Sequence, residues 1–201
     1  CITSLRPMNS TELEPILPKL EWACRYNLTV KRYRHVERVI RQTRSLANRY
    51  GVDLLKSSVA AAGHDLAREF PPEELVSRAD RYGVPRKDPL RQRAILLHGP
   101  VAAGIMEERY GVTDPEILDA VYHHTLGSPG LGDIGKLLYV SDYTEPGRPY
   151  LDDEERERLL GGALDDAVAA VIRHAEGRFG PVNDRTKAFY DALSTGRGIH
   201  R

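Results

Sequence analysis

An all-α fold is predicted by three features of the 201-residue chain. Apolar residues recur at three- and four-residue steps through nearly every segment, and acidic or Pro-containing starts alternate with Gly stops. No stretch alternates apolar with polar over the roughly four to eight residues of a half-buried strand.

Taken in order, residues 11–27 carry Leu13, Ile16, Leu17 and Leu20 at helical spacing, with Pro15 and Pro18 making the first turn irregular. Residues 32–50 repeat the pattern through Val36, Val39, Ile40, Thr43 and Leu46 and stop at Gly51, with His35 one turn before Val39 on the apolar face. A third helix runs from Asp53 through Leu55, Val59 and Ala62 to the triplet Gly63-His64-Asp65. Pro71-Pro72-Glu73-Glu74 opens a short helix that ends near Gly83, because Pro suits the first helical position and acidic groups suit the positive end of the dipole.

Asp88-Pro89 is read as the start of a helix through Ile95, Leu96, Val101 and Met106 to Gly111, kinked at Pro100 just after His98. Asp114-Pro115-Glu116 starts the helix that reaches His123-His124. Gly127 to Gly132 is a loop, since its glycine spacing is not the dinucleotide fingerprint and follows no strand. Ile134, Leu137, Leu138 and Val140 then build a helix up to Asp142, followed by the turn-rich Glu145-Pro146-Gly147-Arg148-Pro149. A charged helix over 152–160, an apolar one over 164–179 that either completes the core or forms a dimer face, and a last one capped at Asn183-Asp184 finish the chain.

Lys and Arg (29) balance Asp and Glu (29), so no global field draws the chain to nucleic acid or to an anionic membrane. No apolar stretch approaches the ~20 residues of a membrane span. Two cysteines, Cys1 and Cys24, without a C-x-x-C are too few for a disulfide framework and predict a soluble protein of the reducing cytoplasm. Residues 1–7 read as an extension before Met8, a mature lipoprotein beginning at Cys1 being the alternative, and residues 1–25 as that extension plus the first helix.

Six residues end or interrupt core-facing helices: His35, His64, Asp65, His98, His124 and Asp142. Imidazole with carboxylate is the donor set of Fe, Mn, Zn, Co or Ni, whereas Mg and Ca sites are built from oxygens. Six ligands exceed what one catalytic metal with an open position takes, but suit two ions about 3.5–4 Å apart bridged by a carboxylate, for which Asp65 is the natural choice. A single helical His on an apolar face is more often a satisfied core residue than a ligand. His123 and His124, about 100° apart on a helix, cannot both face the core. His174 and His200 lack such company.

The chain resembles the HD-domain phosphohydrolases, in their YqeK-like branch. The resemblance rests on Arg32-Tyr33-Arg34-His35, Gly63-His64-Asp65-Leu66-Ala67-Arg68, Leu97-His98-Gly99-Pro100-Val101, His124-Thr125-Leu126-Gly127 and Leu138-Tyr139-Val140-Ser141-Asp142-Tyr143-Thr144-Glu145-Pro146-Gly147-Arg148. It implies an HD-domain helical bundle over residues 26–195, a tail at 196–201, and metal ligands at His35, His64, Asp65, His98, His124 and Asp142. The family places an aromatic where this chain has His123, and His124 is preferred because Thr125 and Gly127 follow in register.

The YqeK-like branch resembles symmetrical diadenosine tetraphosphatases, which implies cleavage of that dinucleoside polyphosphate into two ADP at a two-iron centre by a metal-bridging hydroxide. One metal can lower the pKa of water from about 15.7 to about 7, on the order of 12 kcal/mol of help toward a hydroxide nucleophile. With Asp65 as a catalytic bridge, Arg68, Lys136 and Arg148 are the candidate clamps for the phosphate chain, with Arg34 a weaker one. The competing readings are another nucleotide phosphatase or phosphodiesterase, a two-iron oxygenase and a non-catalytic nucleotide sensor.

Overall fold

The computed structural model describes residues 4–195, and among them it contains helices and no strand. The helices are α1 (Ser10–Leu13), α2 (Ile16–Asn27), α3 (Val30–Tyr50), α4 (Leu54–Gly63), α5 (Pro72–Arg81), α6 (His98–Tyr110), α7 (Pro115–His123), α8 (Asp133–Thr144), α9 (Asp153–Leu159), α10 (Leu164–Phe179) and α11 (Asp184–Thr195). The expected all-α class is therefore what the chain adopts.

The interior is built around α4. Its sequence is apolar or small on every side, and each residue from Ser57 to Gly63 is buried, as expected of a helix surrounded by others. It packs against α2, α3, α7 and α8. The approach to α6 is close, since a Cβ on Gly63 would stand 2.2 Å from the Met106 sulfur. Because α4 ends at the middle of the bundle, His64 and Asp65 are delivered to its centre, 0% and 2% exposed.

Helices α3 and α8 each serve two cores. Val36, Val39 and Ile40 of α3 join Ile134 and Leu138 of α8 in a core with α1, α2, α4, α6 and α7. Leu46, Ala47, Leu137 and Val140 turn to a second core with α10 and α11. Burial of each such aliphatic side chain contributes about 1.5–3 kcal/mol. The buried Leu164, Ala167, Val168, Val171 and Ile172 of α10 complete this second core.

Two expected elements differ. Residues 11–27 form two helices, because Pro15 interrupts the ladder and serves as the N-cap of α2, while Pro18 falls in the first turn of α2, where no backbone donor is needed. Residues 88–110 are not one kinked helix. Two 3-10 turns, Pro89–Gln92 and Ala94–Leu97, precede an α6 whose first residue is His98. Pro100 thus lies in the first turn of α6, the position that tolerates it, and no kink is required.

The segment before α1 docks on the bundle. Met8 is buried, its amide donates to Asp114 at 2.8 Å, and the Arg6 amide donates to the Thr113 carbonyl. No helix among the described residues is long and apolar enough to cross a membrane. The expected tail at 196–201, with His200, and the expected reading of Cys1 lie outside the described residues.

Candidate metal centre

Five elements converge on one point. His35 comes from the second turn of α3, His64 and Asp65 from the end of α4, His98 from the start of α6, His124 from the C-cap of α7 and Asp142 from the last turns of α8. Helix termini place side chains beside unpaired backbone carbonyls, and three of the histidines use them. Nδ1 of His64 donates to the Ala61 carbonyl at 2.7 Å, that of His98 to Ile95 at 2.5 Å and that of His124 to Val121 at 2.7 Å. His35 engages a carboxylate instead, its Nδ1 lying 3.1 Å from Glu145 Oε1. With every Nδ1 engaged from behind, each ring turns its Nε2 to the centre, an arrangement that fixes a metal-binding tautomer.

The inward atoms divide into two halves. His35 Nε2 is 3.1 Å from Asp142 Oδ1 and 3.6 Å from Asp65 Oδ2, and His64 Nε2 is 3.5 Å from the same Asp65 oxygen. On the other side His98 Nε2 is 3.3 Å from Asp65 Oδ1 and 3.0 Å from His124 Nε2. His35, His64 and Asp142 form one group with metal-holding spacing and His64, Asp65 and His124 another.

The donor set fits a cation. His35 Nε2 and His64 Nε2 are buried and have no hydrogen-bond partner among the described residues, the His35–Asp142 approach lacking hydrogen-bond geometry. Such orphaned nitrogens cost about 1–3 kcal/mol each unless something binds them. Burial lowers the His64 ring below its ordinary pKa and, with the neighbouring His98 and His64, brings His124 down to about 3, so both are neutral donors near pH 7. Burial would raise the Asp65 carboxyl, but the His64 and His98 imidazoles and the Arg32 guanidinium hold it well below the usual range. Asp142 is likewise held low against burial by His35 and Arg148. Burial opposes protonation of His35, yet the Asp142 and Glu145 carboxylates beside it outweigh burial and raise the ring. Ionised carboxylates and neutral imidazoles together make a pocket for positive charge.

A cavity of about 310 Å³ opens onto Asp65, His98, His124 and Asp142. Arg32, Arg68 and Arg148 line it beside Thr125 and the partly buried Ile95 and Leu96. Arg148 is anchored by donating from Nη2 to Asp142 Oδ1 at 2.5 Å and from Nε to the Asp142 carbonyl at 2.9 Å. Arg32 donates from Nη1 to Asp65 Oδ2 at 3.0 Å. A larger cavity, about 1040 Å³, is lined by α6 and α7 residues such as Ala103, Glu107, Leu118 and Tyr122 and includes none of the six candidate ligands.

The six candidate ligands thus meet, and Arg68 and Arg148 face the same space. Lys136 does not join them, because its ammonium pairs with Asp165 at 2.7 Å and Asp133 at 3.7 Å on the α10 side of α8. Arg34 is exposed. His123 points away from its neighbour His124, accepting from Arg185 Nη2 at 3.0 Å and facing Asp119 through Nε2. His174 bonds to Tyr143 and Glu155. Two contributors escape a search for ligand types. Arg32 precedes His35 by one turn on the same face. Glu145 follows Asp142 by one turn, 1% exposed, and burial, which would raise its carboxyl, is outweighed by hydrogen bonds from His35, Arg38 and the Gly147 amide that hold it at about 2.

Residues 32–177 match the family model described as the HD domain. The chain is 36% identical over 153 residues to the symmetrical bis(5'-nucleosyl)-tetraphosphatase of Bacillus subtilis, covering 76% of this chain and 82% of that protein. It is 33% identical to the Staphylococcus aureus protein of the same name, over 78% and 81% of the two chains. Among solved structures, an HD-superfamily hydrolase from Clostridium acetobutylicum, described as involved in NAD metabolism, superposes with a TM-score of 0.80 at 26% identity, covering 89% of this chain and 97% of that one. A family match over more than half of its length means that this chain belongs to the HD-domain family.

Proposed function

We propose that this chain is a metal-dependent hydrolase that cleaves diadenosine tetraphosphate symmetrically into two molecules of ADP. The observation that carries the reading is the convergence of six imidazole and carboxylate donors, each imidazole fixed from behind, beside three guanidinium groups in one cavity. The names of the Bacillus and Staphylococcus relatives supply the substrate.

His35, His64 and Asp142 would hold one ion and His98 and His124 the other, with Asp65 directing one oxygen to each half. When bound, two transition-metal ions, iron by preference with Mn, Co, Ni or Zn also suited to these donors, would supply an acidified water and neutralise charge on the phosphoryl oxygens. The chain does the rest. Arg148, Arg68 and Arg32 bind the phosphate chain and stabilise the negative charge that spreads over it in phosphoryl transfer. Glu145 keeps His35 in its ligand tautomer, and Arg38 keeps Glu145 ionised, its Nε donating to Oε2 at 2.5 Å. Ile95 and Leu96 exclude water from one wall of the cavity.

The test is product analysis. Protein purified anaerobically with iron and given diadenosine tetraphosphate is expected to release ADP alone. AMP with ATP, or no turnover, overturns the proposal and leaves another nucleotide hydrolase or an oxygenase to be sought.

A further inference from the structure

Four side chains outside the ligand set form a closed junction beside it. Asp88 is at its centre, its side chain 9% exposed and that of Arg185 16%. Asp88 Oδ1 accepts from the Leu90 amide at 2.9 Å and from Arg185 Nη1 at 3.0 Å, and Oδ2 accepts from the Tyr122 hydroxyl at 2.9 Å. The second arm of the Arg185 guanidinium donates to His123 Nδ1 at 3.0 Å. The next residue of α11, Thr186, donates its hydroxyl to the Leu126 carbonyl at 2.9 Å.

These bonds join three segments. Leu90 lies in the 3-10 stretch that leads to His98 and supplies its Nδ1 acceptor at Ile95. Tyr122 and His123 close α7, immediately before His124. Arg185 is in the first turn of α11 and spans both. Between the two ligands α6 and α7 are already in close contact, since a Cβ on Gly99 would stand 2.9 Å from the Tyr122 carbonyl oxygen. The other ligands, His35, His64 and Asp142, belong to α3, α4 and α8, to which none of these junction bonds extends.

We propose that Arg185, through Asp88 and His123, is a positioning residue that sets the separation of His98 and His124 and so tunes one half of the metal centre independently of the other. The inference rests on the metal-centre reading given above. A planar guanidinium suits the task because its fixed fork holds Asp88 and His123 at once, which a lysine cannot do. Ligand geometry must be kept within about 0.5 Å for a site to work, so slack between the two segments falls directly on this pair.

The test uses full-length wild type, Arg185→Met, Arg185→Lys and Tyr122→Phe, stripped of metal and titrated with Co²⁺, with stoichiometry, affinity and metal-free melting temperature measured. Wild type is expected to take up two ions. Arg185→Met should keep one ion at wild-type affinity and bind the other about 10–100-fold more weakly, as loss of outer-shell support does elsewhere, and should lower kcat more than it raises KM. Arg185→Lys should recover only part of the loss. Tyr122→Phe, which leaves no charge unpaired, should show the same selective weakening in smaller measure even if Arg185→Met does not fold. Unchanged affinity for both ions in the variants, or equal weakening of both, overturns the inference. If wild type itself binds no Co²⁺, the underlying metal-centre reading fails first, so the two failures are distinguishable.

Discussion

The Nε2 atoms of His98 and His124 stand 3.0 Å apart at the centre of the bundle, and the Nδ1 of each ring donates to a backbone carbonyl three residues earlier. In the tautomer set by those carbonyls the two rings turn Nε2 lone pairs toward each other, with a carboxylate oxygen of Asp65 3.3 Å from the first. A cation relieves that repulsion. Metal binding and folding stability are therefore coupled, since a ligand that binds only the folded state stabilises it by about 2.7 kcal/mol at a hundredfold excess over Kd. The melting temperature should rise when Mn²⁺ or Co²⁺ is added to stripped protein and fall again with chelator, as followed by circular dichroism at 222 nm.

Asp65 lies between both halves of the centre. Asp65→Ala is expected to lose both metals and to reduce hydrolysis to background while keeping helical content, because the fold depends on two apolar cores that Asp65 does not join. Metal analysis and circular dichroism on one preparation check this, and a variant that still turned over would refute the bridging role.

Arg148 and Lys136 should separate cleanly. Arg148 lines the ligand cavity, and loss of a charge-assisted hydrogen bond worth roughly 1.5–3 kcal/mol predicts about a 10–150-fold fall in kcat/KM for Arg148→Ala. Lys136 is committed to Asp165, so Lys136→Ala should leave kcat/KM within about twofold of wild type and affect only a partly exposed ion pair. Steady-state kinetics of the two variants decide it.

Cys24 is expected to be inert. Burial first, then the charges of Asp65 and Glu21, push its thiol up to about 12, and Sγ sits 3.2 Å from the Ala62 carbonyl. The folded chain keeps that proton while an unfolded chain loses it near pH 9, so stability falls as pH rises from about 9 toward 12. Near neutral pH, iodoacetamide should leave Cys24 unmodified by peptide mass spectrometry until denaturant is added, and labelling of native protein at this position would contradict the burial.

Much of this was legible in the residues. Periodicity and caps gave the helices because α3, α7 and α10 obey local rules, with Asp114 capping α7 and Gly51 ending α3. The stretch from Asp88 to Leu97 is not legible, since a Pro at the first helical position starts 3-10 and α-helices alike, and the contact of Asp88 with Arg185, nearly a hundred residues away, leaves no local signal. The six candidate ligands stand out because each is an unusual residue at the end or on the face of an apolar helix. Their outer partners could not: Glu145 and Arg32 look like ordinary surface charges until tertiary contact buries one and aims the other. Lys136 shows the complementary case, as position along α8 does not say that its ammonium turns to Asp165 and not to the ligand cavity.

The proposed function stands on a two-ion centre with Asp65 between its halves. Anomalous diffraction from crystals of the metal-loaded protein, recorded at the absorption edge of the bound metal, tests it most directly. Two peaks are expected about 3.5–4 Å apart, one against His35, His64 and Asp142 and one against His98 and His124, with an oxygen of Asp65 directed to each. A single peak, or ions bound away from Asp65, would contradict it.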